Sequence, residues 1–267
     1  MPEAFRLALL SLLRDRFALA LLVIAPTVFL GVTWLTAPLM LIPISFFGLP
    51  GIDELPLRQR EVLVAFISSS VGGFLSAFLA SEILSDRRDL GKLLIFSGLP
   101  AARWAGARLL AALTVAGGVA LWTFALEAAL IPLRNPAATL LGALLLALVY
   151  GLFGATVGLL ARDTLRSVLC ILILADVDAA WLQNPVYYTY AQENEIVHRL
   201  PAFHPIQETL AGAFAGRFNF EALVGSLAYA ALLCLPLLLA LAWRYGPVEI
   251  SRARSRRESR GGRGPRP

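Results

Sequence analysis

The chain has 267 residues, of which 58% are hydrophobic and only 15% are charged, and its net charge is +5. Soluble domains carry about 25% charged residues and lack repeated apolar runs of roughly 20 residues. The composition therefore excludes an ordinary soluble domain and predicts an all-α integral membrane protein. Both cysteines, Cys170 and Cys234, lie in apolar runs outside any CxxC pattern, so neither a disulfide framework nor a zinc site is indicated.

The apolar pattern divides the chain into three parts. Over residues 1–16, leucines alternate with charges at helical spacing, which predicts an amphipathic elbow helix lying in the membrane surface. Residues 17–245 form the predicted transmembrane domain, with six apolar spans at about 17–43, 61–84, 104–132, 137–160, 167–182 and 220–245. Residues 246–267 contain seven arginines and few apolar side chains, so we expect a disordered basic tail.

The connector between the fifth and sixth spans, residues 183–219, is amphipathic and rich in aromatic side chains. It is too long for a simple hairpin and too polar to cross a membrane. Two interpretations fit this pattern. The connector is either an aromatic anchor on the outer membrane surface or a re-entrant segment, which must then be buried in protein.

Lysine and arginine are unevenly distributed among the connections. Eighteen of the 23 lie in the N-terminal segment, between the second and third spans with their flanks, between the fourth and fifth spans, or in the C-terminal segment. Because positive charge is retained in the cytoplasm, these segments and both termini are predicted to be cytoplasmic. The tail is also suited to contact anionic membrane lipid, and no nucleic-acid partner is expected.

Motifs for enzyme chemistry are missing from the sequence. The chain contains no GxxxxGK[ST] phosphate-binding loop and no HExxH pair. Its only histidines, His198 and His204, are six residues apart in a proline-interrupted segment, which is a poor metal geometry. We therefore expect no catalytic site, no metal and no cofactor in this chain, and a role in transport, as a channel or as a scaffold.

Four polar residues stand out as candidates for a gate or substrate path. Glu127, Asp176 and Asp178 fall inside apolar runs, where ionised groups are costly and usually functional. His204 lies in the aromatic connector and can titrate near neutral pH. The simpler alternatives are interfacial or interhelical hydrogen bonding for the acids and a surface position for the histidine.

The stretch SDRRDLGKLLIFSGLP, residues 85–100, separates the second span from the third on the predicted cytoplasmic side. Two aspartates in its first turn suit a helix N-terminus, and Gly98-Leu99-Pro100 ends the helix. Its apolar side is predicted to consist of Leu90, Leu93, Leu94 and Phe96. Such a helix either docks into a groove on a soluble partner or only connects the two spans.

The segment from Glu82 to Leu110 resembles the motif of ABC-2 type permeases, the membrane subunits of type V ABC exporters. In that family a charged cluster and a glycine follow the second span, and a proline comes nine residues after the glycine. Gly91 and Pro100 keep this spacing, and Arg103 and Arg108 stand near the family's later arginine and Gly-Lys pair. The resemblance implies that this stretch is a coupling helix.

The resemblance has departures but covers nearly the whole chain. Arg87-Arg88-Asp89 replaces Glu-x-Glu, Lys92 replaces a threonine, and Gly106-Ala107-Arg108 replaces the Gly-Lys pair. The elbow helix, the six spans and the long fifth connector follow the family architecture up to about Tyr245. The connector sequence also resembles that of bacterial drug- and antibiotic-export permeases.

The resemblance implies partners and a mechanism. A separate ABC ATPase would carry ATP and Mg²⁺, two permeases would pair as a homodimer or with a sister chain, and the complex would lie in the bacterial cytoplasmic membrane. A hydrophobic or amphipathic substrate would be exported. The implied contacts with the ATPase are Asp86, Arg87, Arg88, Asp89, Gly91 and Lys92.

Two other classes of function fit the same sequence. A secondary transporter or channel without an ATPase would use Glu127 and Asp176 as ion or proton sites, although no internal repeat between the halves is evident. A membrane assembly factor of the haem-export kind is the second alternative. The absence of a histidine cluster that could bind haem argues against it. The substrate itself is not readable from the sequence.

Overall fold

In a computed structural model, residues 2–51, 54–85, 90–161, 164–185 and 195–261 are described. The chain folds into ten α-helices over these residues, with two π-helical segments and one β-hairpin. The α-helices are α1 Pro2–Leu13, α2 Arg16–Thr36, α3 Gln59–Leu84, α4 Leu90–Ser97, α5 Ala101–Leu130, α6 Pro136–Leu160, α7 Thr164–Ala175, α8 Glu195–His198, α9 Phe203–Leu210 and α10 Phe220–Gly261. The π-helical segments are Asp176–Leu182 and Ala211–Ala215, and strands β1 Leu41–Ile44 and β2 Leu55–Arg58 pair antiparallel.

Five helices in the described part of the chain are long and apolar enough to cross a membrane. They are α2, α3, α5, α6 and the part of α10 from Phe220 to Tyr245. The prediction of a multi-pass, all-α membrane protein is confirmed at this level. Helices α3, α5 and α6 begin and end within three residues of their predicted spans. The prediction of the first span, 17–43, is wrong at its C-terminal end, because α2 ends at Thr36, just before Pro38, and strand β1 begins at Leu41.

The fifth predicted span, residues 167–182, is not one continuous α-helix. Helix α7 contains 12 residues and gives way to the π-helical segment at Asp176. Twelve residues rise about 18 Å in an α-helix, so α7 by itself is short of the roughly 30 Å of a bilayer core and would need the π-helical segment that continues it. The count of six spans therefore stays a prediction.

The C-terminal segment also differs from its prediction. Helix α10 does not end near Tyr245, and it continues through the first part of the expected disordered tail to Gly261. The physical reason is that arginine, glutamate and alanine are good helix formers, and the sequence from 248 to 260 contains neither glycine nor proline. The tail sequence is thus helical up to the glycine pair.

Helices α3 and α6 form the centre of the bundle. In their apolar windows 78% and 72% of the residues are buried, against 17% in α2 and 22% in α10. The two helices approach closely at glycines of α6, since a β-carbon at Gly154 would overlap with the backbone carbonyl of Ala77, and one at Gly158 with that of Ser81. Small residues permit this approach in lipid, where apolar attraction between helices is weak.

Arginine side chains bind the carbonyl oxygens at the C-terminal ends of three helices. Arg108 of α5 donates to the carbonyls of Ile83 and Ser85 at the end of α3, and Arg244 of α10 donates to Leu159 of α6 at 2.9 Å. At the opposite end of the bundle, Arg60 donates to Ala37 after α2 at 3.1 Å. These carbonyls have no partner within their own helix and carry the negative end of the helix dipole, so a cation stabilises them.

The central contact gives a direct test. Gly154→Ala should destabilise the protein by about 2 kcal/mol or more, because the added methyl group meets the backbone of Ala77, which cannot rotate away. The measurement is the thermal unfolding midpoint of the purified protein in detergent. Gly118→Ala is the matched control on α5, where nothing lies within 4 Å of the added group. Equal midpoints for the two variants would contradict the close α3–α6 packing.

Candidate functional site

The described part of the connector between α7 and α10 is packed inside the bundle. Helix α9 lies against α3, α6 and α10, and its Gln207, Glu208 and Thr209 are all buried. Close contacts hold the segment to α6, because Gly142 faces Thr209 and Gly212 faces the backbone of α6 near Ala138. Of the two interpretations of the connector, this packing favours a segment buried in protein.

Asp178 is the centre of a buried hydrogen-bond network at this place. Its side chain is 8% exposed, and its Oδ2 accepts from the Tyr150 hydroxyl at 2.5 Å and from the Ala202 backbone N–H at 3.1 Å. Its Oδ1 accepts from Nε2 of Gln183 at 3.4 Å, and that amide also donates to the Val197 carbonyl. The carboxylate therefore joins the π-helical segment to α6 and to Ala202 just before α9, and Gln183 extends the network to α8.

The π-helical geometry explains how Asp178 comes to face inward. A π-turn contains an extra residue, so its carbonyls fall out of the α-helical hydrogen-bond pattern. The carbonyl of Ala179 accepts a hydrogen bond from the Ser70 hydroxyl of α3 at 2.7 Å. The side chain of Asp176, two residues earlier, is exposed. The two predicted acids thus point to different surroundings, as their spacing on a helix indicates.

Glu127 forms a second polar site, on the other side of α3. Its side chain is 1% exposed, and its Oε1 has no hydrogen-bond partner among the described residues. The Ser68 hydroxyl interacts with this carboxyl group and also donates to the Thr123 carbonyl at 3.1 Å. Because Ser68 and Ser70 are two residues apart on α3, they point in nearly opposite directions. The fold therefore does not bring Glu127 and Asp178 into one site.

Glu208 is a buried acid that sequence reasoning missed. Its Oε2 accepts from the backbone N–H of Asn219 at 2.8 Å, and Asn219 caps the start of α10 by accepting from Ala222 at 3.1 Å. Asn219 also donates to the Phe47 carbonyl at 2.5 Å, which connects α9 and α10 to the loop after β1. Burial raises the pKa of Glu208, and the hydrogen bond from Asn219 opposes that rise. The sequence carried a signal only for its partner Asn219, because an asparagine directly before an apolar run is typical of a helix cap.

His204 lies in a cluster of aromatic rings and not on an open surface. The centre of its ring is 5.3 Å from that of Phe203 and 5.9 Å from that of Tyr229, and its Nδ1 is buried without a hydrogen-bond partner in the described part of the chain. Burial lowers the pKa of His204, the negative charge of Glu221 opposes this, and His198 lowers the pKa further. The neutral form of the imidazole is therefore favoured in the folded protein.

The predicted coupling segment is only partly described. Asp86, Arg87, Arg88 and Asp89 lie outside the described residues, and Gly91 and Lys92 belong to the first turn of α4, where the backbone alone is described. The apolar side of α4 differs from the prediction in one respect. Ile95 is fully buried, whereas Leu93 is 63% and Phe96 57% exposed. The reason is that α4 packs on α5 and α10 with the face that carries Ile95, so Leu93 and Phe96 point away from the bundle.

Comparison of the chain with protein-family models gave no match, and neither did comparison with curated proteins. Within the described ranges, no group of three or more His, Cys, Asp and Glu side chains could hold a metal ion. Three features of the described structure bear on function: the Asp178 network, the buried Glu127, and the exposed apolar pair on α4.

The position of His204 predicts acid sensitivity. Because the folded-state pKa of His204 lies below its ordinary value, the unfolded chain binds the proton more readily, so stability falls as the pH drops below about 6.5. His204→Phe keeps an aromatic ring and removes this titration, so its unfolding midpoint should depend less on pH between 5 and about 7.5. The measurement is thermal unfolding of both proteins in detergent across this range. Parallel pH profiles for the two proteins would contradict the assignment.

Proposed function

We propose that this chain is the permease subunit of an ATP-driven exporter of the ABC-2 type. It moves a hydrophobic or amphipathic substrate outward, and a separate ATPase subunit supplies the energy. The observation that carries this proposal is the exposed apolar pair Leu93 and Phe96 on α4. The arginine distribution favours a cytoplasmic position for this end of the bundle, where two large apolar side chains would be unfavourable in water without a partner.

The size and setting of α4 suit a groove on a soluble protein. The helix has eight residues and lies in sequence between the end of α3 and the start of α5. The charged cluster at residues 86–89 comes directly before it. A short helix that inserts a few apolar side chains and is surrounded by charges is a recurring mode of protein recognition. The charged cluster would then add contacts at the rim of the groove.

The contacts around α4 provide a route for mechanical coupling. Arg108 connects the start of α5 to the end of α3 through two carbonyl oxygens, so the two helices that flank α4 are joined to each other. Helix α3 packs along α6 and reaches the π-helical segment through Ser70. A displacement of α4 by the ATPase would therefore move α3 as a lever and act on the contacts around Asp178.

The remaining parts of the proposal concern the membrane and the second permease. Large parts of α2, α5 and α10 expose apolar side chains, which lipid or a second permease copy would cover. Both termini would face the cytoplasm of a bacterial cell, with α1 lying in the membrane surface. The chain itself would bind no cofactor, and ATP and Mg²⁺ would be bound by the partner.

A secondary transporter without an ATPase is the alternative that a specific observation favours. Glu127 and Asp178 are buried acids in an apolar bundle, and such groups often mark ion or proton paths. The two proposals differ in a simple measurement, because only the exporter requires an ATP-hydrolysing companion. Purified protein that moves its substrate across a vesicle membrane without such a companion would support the alternative.

The α4 surface can be tested with two substitutions. Leu93→Ala combined with Phe96→Ala should weaken binding to the ATPase encoded nearest to this gene by tenfold or more, since apolar anchors of this kind contribute about 1–2 kcal/mol each. Charge reversal at Arg87 and Arg88 should also weaken it. The measurements are co-purification of the two subunits and vanadate-sensitive ATP hydrolysis.

Leu165→Ala provides the control for the α4 variants. This residue is also a large exposed apolar side chain, and it lies in α7 just after the predicted cytoplasmic turn between the fourth and fifth spans. Its substitution should leave both measurements unchanged. If the α4 variants bind and stimulate the ATPase as well as this control does, α4 is not the coupling helix.

A further inference from the structure

Asp176 presents an exposed carboxylate halfway along the bundle. Two residues later, Asp178 contacts Tyr150, which lies about 15 Å from the C-terminal end of α6 and about 21 Å from its N-terminal end at 1.5 Å per residue. The carbonyl of Ala179 contacts Ser70, which likewise lies near the middle of α3. The side chain of Asp176 is exposed at this height, whereas that of Asp178 is buried. A bilayer placed around the bundle would therefore have its apolar core at the level of the Asp176 carboxylate.

The side chains around Asp176 form an apolar face on α7 and the start of the π-helical segment. Four large apolar residues are between 39% and 57% exposed there: Leu169, Leu172, Ile173 and Val177. Their positions are three or four residues apart, so they lie on one side of the helix together with Asp176. These five residues are called the α7 face below. It is apolar at both ends and carries one carboxylate between them.

Lipid suits the other exposed faces of the bundle better than it suits the α7 face. Residues 17–36 of α2, 109–126 of α5 and 222–243 of α10 contain no charged side chain, so lipid tails can cover them. A carboxylate at the same depth is costly in lipid, and such groups almost always face protein or a water-filled cavity. A soluble partner does not reach this depth. The α7 face therefore needs a covering by another membrane protein.

We propose that the α7 face is the contact between two copies of this chain, with the two Asp176 side chains opposite each other near the two-fold axis. This inference rests on the proposed function, which requires a pair of permeases, and it names the surface through which they meet. Two copies inserted in the same direction share an axis along the membrane normal, so a residue near the axis faces its own counterpart at the same height. Like charges do not pack directly together, so the apolar residues touch and the two carboxylates keep a water-filled gap between them.

Disulfide cross-linking of the full-length chain in membranes tests the contact. Cys170 and Cys234 are first replaced by alanine, and a single cysteine is then introduced by Ile173→Cys or, as the control, by Leu235→Cys. Leu235 is an equally exposed apolar residue, at 60% against 57%, and it lies on α10. After oxidation with copper phenanthroline, we expect at least fivefold more covalent dimer from Ile173→Cys than from Leu235→Cys. Equal yields, a higher yield from the control, or monomer alone in both would overturn the proposal.

Charge exchange tests the position of Asp176 at the axis. When Asp176→Lys is produced together with the unaltered chain, a mixed pair sets opposite charges against each other, whereas both kinds of like pair repel. With a different tag on each chain, pull-down should recover mixed pairs at least twofold above the statistical proportion. Glu195→Lys changes an exposed acid outside the α7 face and should give the statistical proportion.

A statistical proportion for Asp176→Lys would place Asp176 away from the axis and overturn the proposal. The cross-linking result decides the proposal even if Asp176→Lys does not fold, because Ile173→Cys keeps the carboxylate. Neither assay contains the ATPase, so a failure here is distinct from a failure of α4 to bind the ATPase.

Discussion

The close approach of α3 and α6 is the contact on which the rest of the structure depends. Gly154 and Gly158 of α6 lie against backbone carbonyls of α3, so the two helices touch through their main chains along one half of the bundle. This contact has a fixed geometry because no side chain lies between the two backbones to adjust. Both polar sites are built from these helices, since Tyr150 belongs to α6, and the serines at 68 and 70 belong to α3.

The serines of α3 divide the polar chemistry of the bundle into two separate environments. Ser68 interacts with Glu127 and donates to a carbonyl of α5, whereas Ser70 donates to a carbonyl of the π-helical segment. In lipid, each polar group must be satisfied within the protein. The Asp178 side meets this requirement through donors from three segments, whereas Glu127 retains one oxygen that no described residue hydrogen-bonds. The two acids are therefore under different constraints although both are buried.

The apolar runs predicted five long helices well, because a helix that crosses a membrane needs little more than length and hydrophobicity. Which face of each helix is buried could not be predicted, since a helix that is apolar all round carries no periodic signal. This is why Ile95, and not Leu93 or Phe96, came to be the buried residue of α4. The hydrogen-bond network of Asp178 could not be predicted from the sequence either. Its donors at Tyr150 and Ala202 are distant in sequence, and one of them is a backbone group that any residue provides.

Lysine occurs once among the 23 basic residues, and the arginines at the helix ends show what arginine provides there that lysine does not. Arg108 reaches two carbonyl oxygens while its guanidinium lies over the ring of Trp104, and Arg60 combines one carbonyl with the ring of Trp34 in the same way. A planar fork of donors can bind an oxygen at its edge and an aromatic ring at its face simultaneously, which a compact ammonium cannot do. One arginine side chain thus supplies both a positive charge and a contact that holds a helix end, so an exchange of arginine for lysine at position 60 or 108 would keep the charge and weaken the contact.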